Sequence, residues 1–150
     1  MSAESKLLGK FYSGFWIYLS VIILFVIFIG ILTVFRKRLI KGDETKSRRI
    51  FLGSLLVSLC AMFFFGFRLI PYLQDFEAAQ NKRFEFVSGT VVDYGKAVNV
   101  GDMAGEIRYY YPIVMDGDGT KIKLDVMGTT LNQSYEFVYL EHTKLAEILA

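Results

Sequence analysis

The sequence predicts a membrane α-helical hairpin of two transmembrane helices, followed by a small antiparallel all-β domain of four or five strands. Residues 11–35 contain no charged side chain, and residues 50–73 form a second mainly apolar run whose only charged residue is Arg68. A short basic stretch separates these two runs. From residue 84 onward, apolar and polar residues alternate with a period of two, which is typical of half-buried strands.

The two apolar runs are long enough to span a bilayer. A hydrocarbon core about 30 Å thick needs roughly 20 apolar residues in helical conformation. We therefore predict helices at about 11–35 and 50–73, which form an N-terminal domain, 1–73, with the tail and the connecting loop. The first run is not expected to be a cleaved signal peptide, because it is too long and residues 34–37 offer no small-residue cleavage site.

The connecting loop, residues 36–49, carries seven basic residues against two acidic ones. Lys and Arg near helix ends are retained on the cytoplasmic side of a membrane. The loop is therefore predicted to be cytoplasmic, with both termini outside the cytoplasm and the helices in a bacterial cytoplasmic (inner) membrane. The residues assigned to this topology-determining role are Arg36, Lys37, Arg38, Lys41, Arg48 and Arg49. Recruitment of anionic lipid or of a cytoplasmic partner is the alternative role of the loop.

The second helix carries small residues at helical spacing. Ser54 and Ser58 are four residues apart, and Ala61 follows nearly one turn later. Small residues at such spacing let helix backbones approach closely in lipid. We predict that these three residues pack against the first helix or against a second protein. Arg68 is expected to extend to the outer interface, or to pair with an acidic residue of another subunit.

Residues 84–150 are predicted to form the β domain, after a linker at 74–83. Alternating patterns mark four strands, around residues 90–94, 108–115, 121–126 and 135–139. Glycines at 95, 101, 105 and 128 are expected to lie in turns. Residues 145–149 form either a fifth strand or one helical turn capped at Thr143. Strands this short and this close in sequence favour a small barrel or a curled sheet.

The most motif-like string is Asp116-Gly117-Asp118-Gly119. It lies between two alternating segments, so a hairpin turn is the favoured interpretation. The calcium-loop alternative lacks a glutamate at position twelve, where Met127 stands. His142 and Cys60 are the only histidine and cysteine. We predict a surface or turn position for His142, no intrachain disulfide, no metal site, no cofactor and no catalytic residues.

The charge of the C-terminal half differs from that of the loop. From residue 74 onward there are seven basic and twelve acidic residues. Binding to nucleic acid by this part is therefore not expected, because phosphate contacts need clustered Lys and Arg.

Several short motifs resemble a broad group of uncharacterised bacterial membrane proteins. The motifs are Gly89-Thr90-Val91-Val92, residues 109–114 with their Tyr110-Tyr111-Pro112-Ile113-Val114 pattern, and Asp118-Gly119 before a lysine-flanked strand. The resemblance covers about half of the chain and implies one or two helices with a small extracytoplasmic β domain. It implies no catalytic residues. Residues 139–144 depart from the Tyr-x-Pro and Asn-Pro ending of that group.

These observations lead to a hypothesis about function. We expect a non-enzymatic, membrane-anchored interaction protein that presents its β domain outside the cytoplasm. Its partners would be the lipid bilayer and a protein, with the oligomeric state left open. The alternatives are an immunity-type protein that neutralises a toxin at the envelope, for which an acidic domain would suit a basic partner, and an accessory subunit of a larger membrane complex.

Overall fold

The computed structural model describes residues 2–35, 44–99 and 107–149. Its elements are helices α1 (Ala3–Phe35), α2 (Glu44–Gln74) and α3 (Phe76–Gln80), and strands β1 (Glu85–Asn99), β2 (Ile107–Asp116), β3 (Lys121–Lys123), β4 (Ser134–Tyr139) and β5 (Ala146–Ile148). Two long apolar helices followed by an antiparallel sheet confirm this part of the predicted fold class.

The chain forms two compact units. The helical unit comprises Ser13–Ile70, and the sheet unit comprises Met1–Tyr12 together with Pro71–Ala150. The start of α1 and the end of α2 therefore belong to the sheet unit. The predicted domain boundaries at residues 73 and 84 stay predictions.

The helical unit consists of the remainder of α1 and α2. Both helices are long enough and apolar enough to cross a membrane. Within the unit, the Phe65 ring lies 6.4 Å from the rings of Tyr18 and Phe25, so aromatic contacts join the two helices. Large apolar side chains elsewhere on both helices, such as those of Phe28 and Phe63, are exposed. Their exposure is opposite to what a helix in a water-soluble core shows.

The sheet has five strands in the order β3-β2-β1-β4-β5, and all neighbouring strands are antiparallel. Successive residues of a strand point to opposite faces, and accordingly Phe137 and Val138 belong to different apolar clusters. The inner cluster consists of Val91, Val114, Leu124, Val126, Phe137 and Ala146. The helix-face cluster consists of Leu7, Phe11, Ala79, Val138, Leu140 and Leu145.

The helix-face cluster explains why the start of α1 belongs to the sheet unit. Leu7 and Phe11 are completely buried there beside Val138 of β4 and Ala79 of α3. The Phe11 ring also lies 5.5 Å from that of Tyr72, near the end of α2. The sheet is thus packed on both faces, and its helix-side face is covered by residues from both ends of the chain.

The barrel alternative is wrong, because the sheet does not close among the described residues. Its edge strands, β3 and β5, have only three residues each. The segments beside them meet in a single isolated parallel bridge between Asp125 and Leu145. One bridge brings the two ends of the sheet together but provides no continuous ladder, so the result is a curled open sheet.

Residues 145–149 contain a strand rather than a helical turn. Phe137 pairs with Ile148, and Tyr139 pairs with Ala146. Backbone pairing with β4 satisfies more hydrogen-bonding groups than one isolated helical turn can, because a single turn leaves most of its N–H and C=O groups unpaired. The prediction of four or five strands is therefore confirmed with five.

Gly95 does not end a strand, contrary to the sequence-based expectation. It lies inside β1, and a Cβ there would be 2.5 Å from Lys123 Cε and 3.3 Å from the Tyr111 carbonyl oxygen. The glycine therefore leaves room for the end of the Lys123 side chain. Gly101 and Gly105 lie outside the described residues, and Gly128 occupies a bend.

The Asp-Gly string forms the predicted hairpin between β2 and β3. Asp116 Oδ1 accepts hydrogen bonds from the N–H groups of Asp118, at 3.0 Å, and Thr120, at 2.9 Å. Gly119 has φ +81°, a conformation that glycine adopts without strain. The Asp116 carboxylate is thus used within the turn itself.

Candidate functional site

The small residues of α2 are placed as follows. Ser58 is buried, whereas Ser54 and Ala61 are half-buried. Ser58 Oγ donates a hydrogen bond of 2.8 Å to the Ser54 carbonyl oxygen, so its hydroxyl is satisfied within its own helix. The role of these three residues in helix packing stays a prediction.

The basic residues assigned to topology are described only in part. Arg36, Lys37, Arg38 and Lys41 lie outside the described residues, whereas Arg48 and Arg49 are exposed near the start of α2. Their role stays a prediction. Further along α2, the exposed Arg68 guanidinium lies 5.7 Å from the centre of the Phe64 ring, a cation–π contact within the helical unit.

The most elaborate polar site of the sheet unit is centred on Asp75, between α2 and α3. The Asp75 N–H donates to the Pro71 carbonyl oxygen at 3.0 Å, and its own carbonyl oxygen accepts from the Ala79 N–H at 2.8 Å. These backbone bonds continue the helical path through the junction. The side chain is only 1% exposed and points to the turn between β4 and β5.

Four donor groups from that turn surround the carboxylate. The His142 N–H donates to Oδ1 at 3.0 Å, and His142 Nδ1 lies 2.8 Å from the same oxygen. The N–H and the hydroxyl of Thr143 both donate to Oδ2 at 2.7 Å. We call Asp75, His142 and Thr143 the Asp75 junction. A buried carboxylate is stable only with such a full set of partners.

The junction shows how sequence reasoning placed His142 correctly but missed its partner. The His142 side chain lies in a turn and is 44% exposed, as expected. However, Asp75 is 67 residues away along the chain, and no local pattern connects the two. Three of the four donors are backbone or hydroxyl groups of the β4–β5 turn. The Asp75 carboxylate therefore attaches this turn to the end of α2.

Tyr139 lies at the end of β4, close in sequence to the same turn. Burial raises the pKa of its phenol above the usual 10.0, and the negative charges of Glu85 and Glu141 raise it further. Lys144 Nζ lies 5.5 Å from the centre of the ring. The hydroxyl therefore stays neutral at physiological pH.

A second feature is the loop of residues 127–133, which we call the distal loop. It directly precedes β4, at the end of that strand opposite the β4–β5 turn. Met127 is 61% exposed and Leu131 is 47% exposed. No residue between 126 and 135 is charged. The distal loop is thus an uncharged surface with two prominent apolar side chains.

Two tyrosine hydroxyls hold the distal loop in place. Tyr94 Oη donates to the Thr129 carbonyl oxygen at 2.7 Å, and Tyr135 Oη accepts from the Thr130 N–H at 3.0 Å. Two backbone hydrogen bonds with Val91 add to these. The Asn132 N–H donates to the Val91 carbonyl oxygen at 2.8 Å, and the Val91 N–H donates to the Gln133 carbonyl oxygen at 3.0 Å. The loop is therefore preorganised, which lowers the entropic cost of binding a partner.

Comparison with known proteins returned no match among family models, curated proteins or solved structures. The resemblance to bacterial membrane proteins therefore stays a prediction. Within the described residues, no group of three or more His, Cys, Asp or Glu side chains is arranged to hold a metal ion.

Proposed function

We propose that this chain is an integral membrane protein whose two helices anchor a small β domain outside the cytoplasm, where the domain docks onto a protein partner without catalysing a reaction. The observation that carries the proposal is the exposure of the apolar side chains along α1 and α2. Exposure of so large an apolar surface to water is unfavourable, and the hydrocarbon core of a bilayer would bury it.

The packing of the sheet unit supports an even number of membrane crossings. Leu7 and Phe11 precede the first apolar run, yet they are buried among residues that follow the second run. Residues that share one core must lie on the same side of a membrane. This supports a hairpin, and it also favours retention of α1, since cleavage behind it would remove both side chains from the core.

The charge distribution supports the orientation. The excess of Lys and Arg lies in residues 36–49, between the two helices. The positive-inside rule then favours a cytoplasmic loop, with the sheet unit on the opposite side of an inner membrane.

The distal loop is the surface that we propose for the partner. The cores of protein interfaces are depleted in charged residues and enriched in methionine, and the distal loop presents Met127 on an uncharged surface. The hydrogen bonds of Tyr94 and Tyr135 fix the backbone of Thr129 and Thr130, which lie between Met127 and Leu131 in the chain. A partner with an apolar pocket fits this surface.

Cysteine labelling tests the topology. In a Cys60→Ser background, Ser2→Cys and Asp118→Cys should react with a membrane-impermeant maleimide on intact spheroplasts, because the N-terminus and the sheet lie outside. Lys41→Cys should react only after permeabilisation. If only Lys41→Cys were labelled on intact spheroplasts, the orientation would be the opposite of the one proposed. Opposite accessibility of Ser2→Cys and Asp118→Cys would refute the hairpin, and recovery of the chain in a salt-washed aqueous fraction would refute membrane insertion.

Photocrosslinking tests the distal loop. A photoreactive amino acid at Met127 should crosslink to one protein, whereas the same group at exposed Lys121 of β3 should not. Leu131→Asn should weaken that complex by about 10- to 100-fold, as expected for loss of an apolar anchor. Equal crosslinking at both positions, or an unaffected complex with Leu131→Asn, would exclude this surface. The identity of the captured protein separates an envelope toxin from a subunit of a membrane complex.

A further inference from the structure

The exposed apolar surface of α2 continues past its end into the sheet unit. The Asp75 N–H donates to the Pro71 carbonyl oxygen, and the Ala79 N–H donates to that of Asp75, so the helical path runs on into α3. Along this path Leu73 is 56% exposed and Phe76 is 37% exposed. Residues three apart lie on the same side of a helix. We call Leu73 and Phe76 the apolar pair.

The other side of the same path faces the sheet unit. Tyr72 packs against the helix-face cluster, Asp75 is buried, and Ala79 belongs to the cluster itself. The apolar pair therefore lies on the outward side, where the sheet unit leaves a large part of both side chains accessible. Apolar side chains at the end of a membrane-spanning helix have an apolar or amphipathic medium close by.

The length of α2 fixes where this helix would leave the hydrocarbon of a bilayer. Arg48 and Arg49 are exposed near its start, and a charged side chain is costly inside the hydrocarbon. A core about 30 Å thick is crossed by roughly 20 residues, so the crossing extends over about residues 50–69. Arg68 then lies at the outer edge of the crossing, from where its side chain can extend to the interface.

The apolar pair follows this crossing directly. At a rise of about 1.5 Å per residue, Leu73 is roughly 6 Å and Phe76 roughly 10 Å beyond the hydrocarbon. The headgroup layer of one leaflet is about 5–7 Å thick. The Leu73 side chain thus falls within the headgroup layer, and the Phe76 ring falls at its outer limit.

The charges around α3 are balanced. Lys82 and Arg83 are exposed after the helix, and Glu77 and Glu85 are exposed on either side of them. Two positive and two negative side chains leave residues 76–85 without net charge. Such a surface suits headgroups that carry both a phosphate and an ammonium group, and it gains little from anionic lipid, which attracts clusters of Lys and Arg.

We infer that the apolar pair inserts into the zwitterionic headgroup layer and holds the sheet unit against the membrane surface. The inference rests on the proposed membrane location of α1 and α2. The Asp75 carboxylate, between the two residues of the pair, attaches the β4–β5 turn to the same place. The distal loop precedes β4 at its opposite end. Contact with lipid at one end of β4 therefore leaves the distal loop accessible to a partner.

Fluorescence quenching in phosphatidylcholine nanodiscs tests the insertion. In a Cys60→Ser background, a bimane label at Leu73→Cys or Phe76→Cys should be quenched more by a nitroxide on the lipid headgroup than by one deep in the acyl chain, by about twofold or more, because these depths differ by about 10 Å. A label on the native Cys60, which is exposed on α2, should show the reverse order. Met127→Cys, in the distal loop, should respond to neither quencher.

The outcomes separate this inference from the proposed membrane location. If the acyl-chain nitroxide quenches Cys60 but the headgroup nitroxide quenches neither position of the pair, the inference fails and the membrane location stands. If neither nitroxide quenches Cys60, both fail. Stronger quenching of the pair by the acyl-chain nitroxide would place it in the hydrocarbon and would also overturn the inference.

Two further measurements concern the lipid. Replacing part of the phosphatidylcholine by phosphatidylglycerol should leave the quenching of the pair unchanged, and an increase would overturn the match to zwitterionic headgroups. In the unmodified protein, a phospholipid with a photoreactive headgroup should crosslink to residues 73–76 and not to residues 127–133. The opposite crosslinking pattern would contradict the inference, and this measurement decides the matter if the labelled variants do not fold.

Discussion

Asp75→Ala should lower the free energy of unfolding of the sheet unit by about 2–3 kcal/mol, the upper part of the range found when the acceptor of buried hydrogen bonds is removed. The carboxylate is 1% exposed and satisfies donors from His142 and Thr143. Without it, the N–H groups of His142 and Thr143 and the Thr143 hydroxyl lose their acceptor at partly buried positions, which costs more than the lost bonds alone. Denaturant unfolding of the full chain in detergent measures the change.

Three further variants define the mechanism behind this loss. Asp118→Ala removes a carboxylate from the exposed hairpin and should change the stability by less than about 0.5 kcal/mol. Asp75→Asn keeps one acceptor oxygen and should fall between the alanine variant and the unmodified protein. Thr143→Val removes a single donor and should have a smaller effect than Asp75→Ala. Equal effects of Asp75→Ala and Asp118→Ala would show that the junction contributes nothing to stability.

Phe11→Ala should destabilise the sheet unit by about 3–5 kcal/mol, which is typical of truncating a fully buried phenylalanine. The ring contacts Tyr72 and lies in the cluster that contains Val138 and Leu140. The cavity would form between α1 and β4, so hydrogen-exchange protection should fall at the amides of β4 and β5. Chemical unfolding followed by the near-ultraviolet signal of the sheet tyrosines measures the loss.

Phe63→Ala is the matched control. Phe63 lies on α2 in the helical unit and is 72% exposed. Its truncation should leave the unfolding of the sheet unit unchanged, because its ring packs on that of Phe67 in the same helix. If Phe11→Ala behaved like Phe63→Ala, the start of α1 would not be part of the core of the sheet unit.

Because α1 contributes residues to both units, the order in which the protein folds is constrained. The sheet unit needs Leu7 and Phe11 from the start of the chain and Leu140 and Leu145 from its end. These contacts form only after the intervening residues 13–70 have been placed. In the proposed membrane location, the β domain therefore completes its core only when both helices have been inserted.

Local patterns in the sequence were enough to predict the main elements. The uncharged run at 11–35 and the alternation at 121–126 each depend on residues adjacent in the chain, since helices and strands have short periods. The Asp-Gly hairpin followed for the same reason, because residues 116–119 contain all of its bonds. The bounds were less exact, because α1 begins at Ala3, before the apolar run, in a segment that contains charged residues.

By itself, the sequence determined two long apolar helices, a basic connection between them and an antiparallel sheet after them. Only the tertiary structure decided that Asp75 binds His142, that Phe11 lies in the cluster with Val138 of β4, and that Lys10 forms an ion pair with Glu147. These contacts join residues many positions apart, whose identities impose no periodicity on their neighbours. They arise from the burial of apolar faces, which brings the polar groups of distant segments within hydrogen-bonding and electrostatic range of one another.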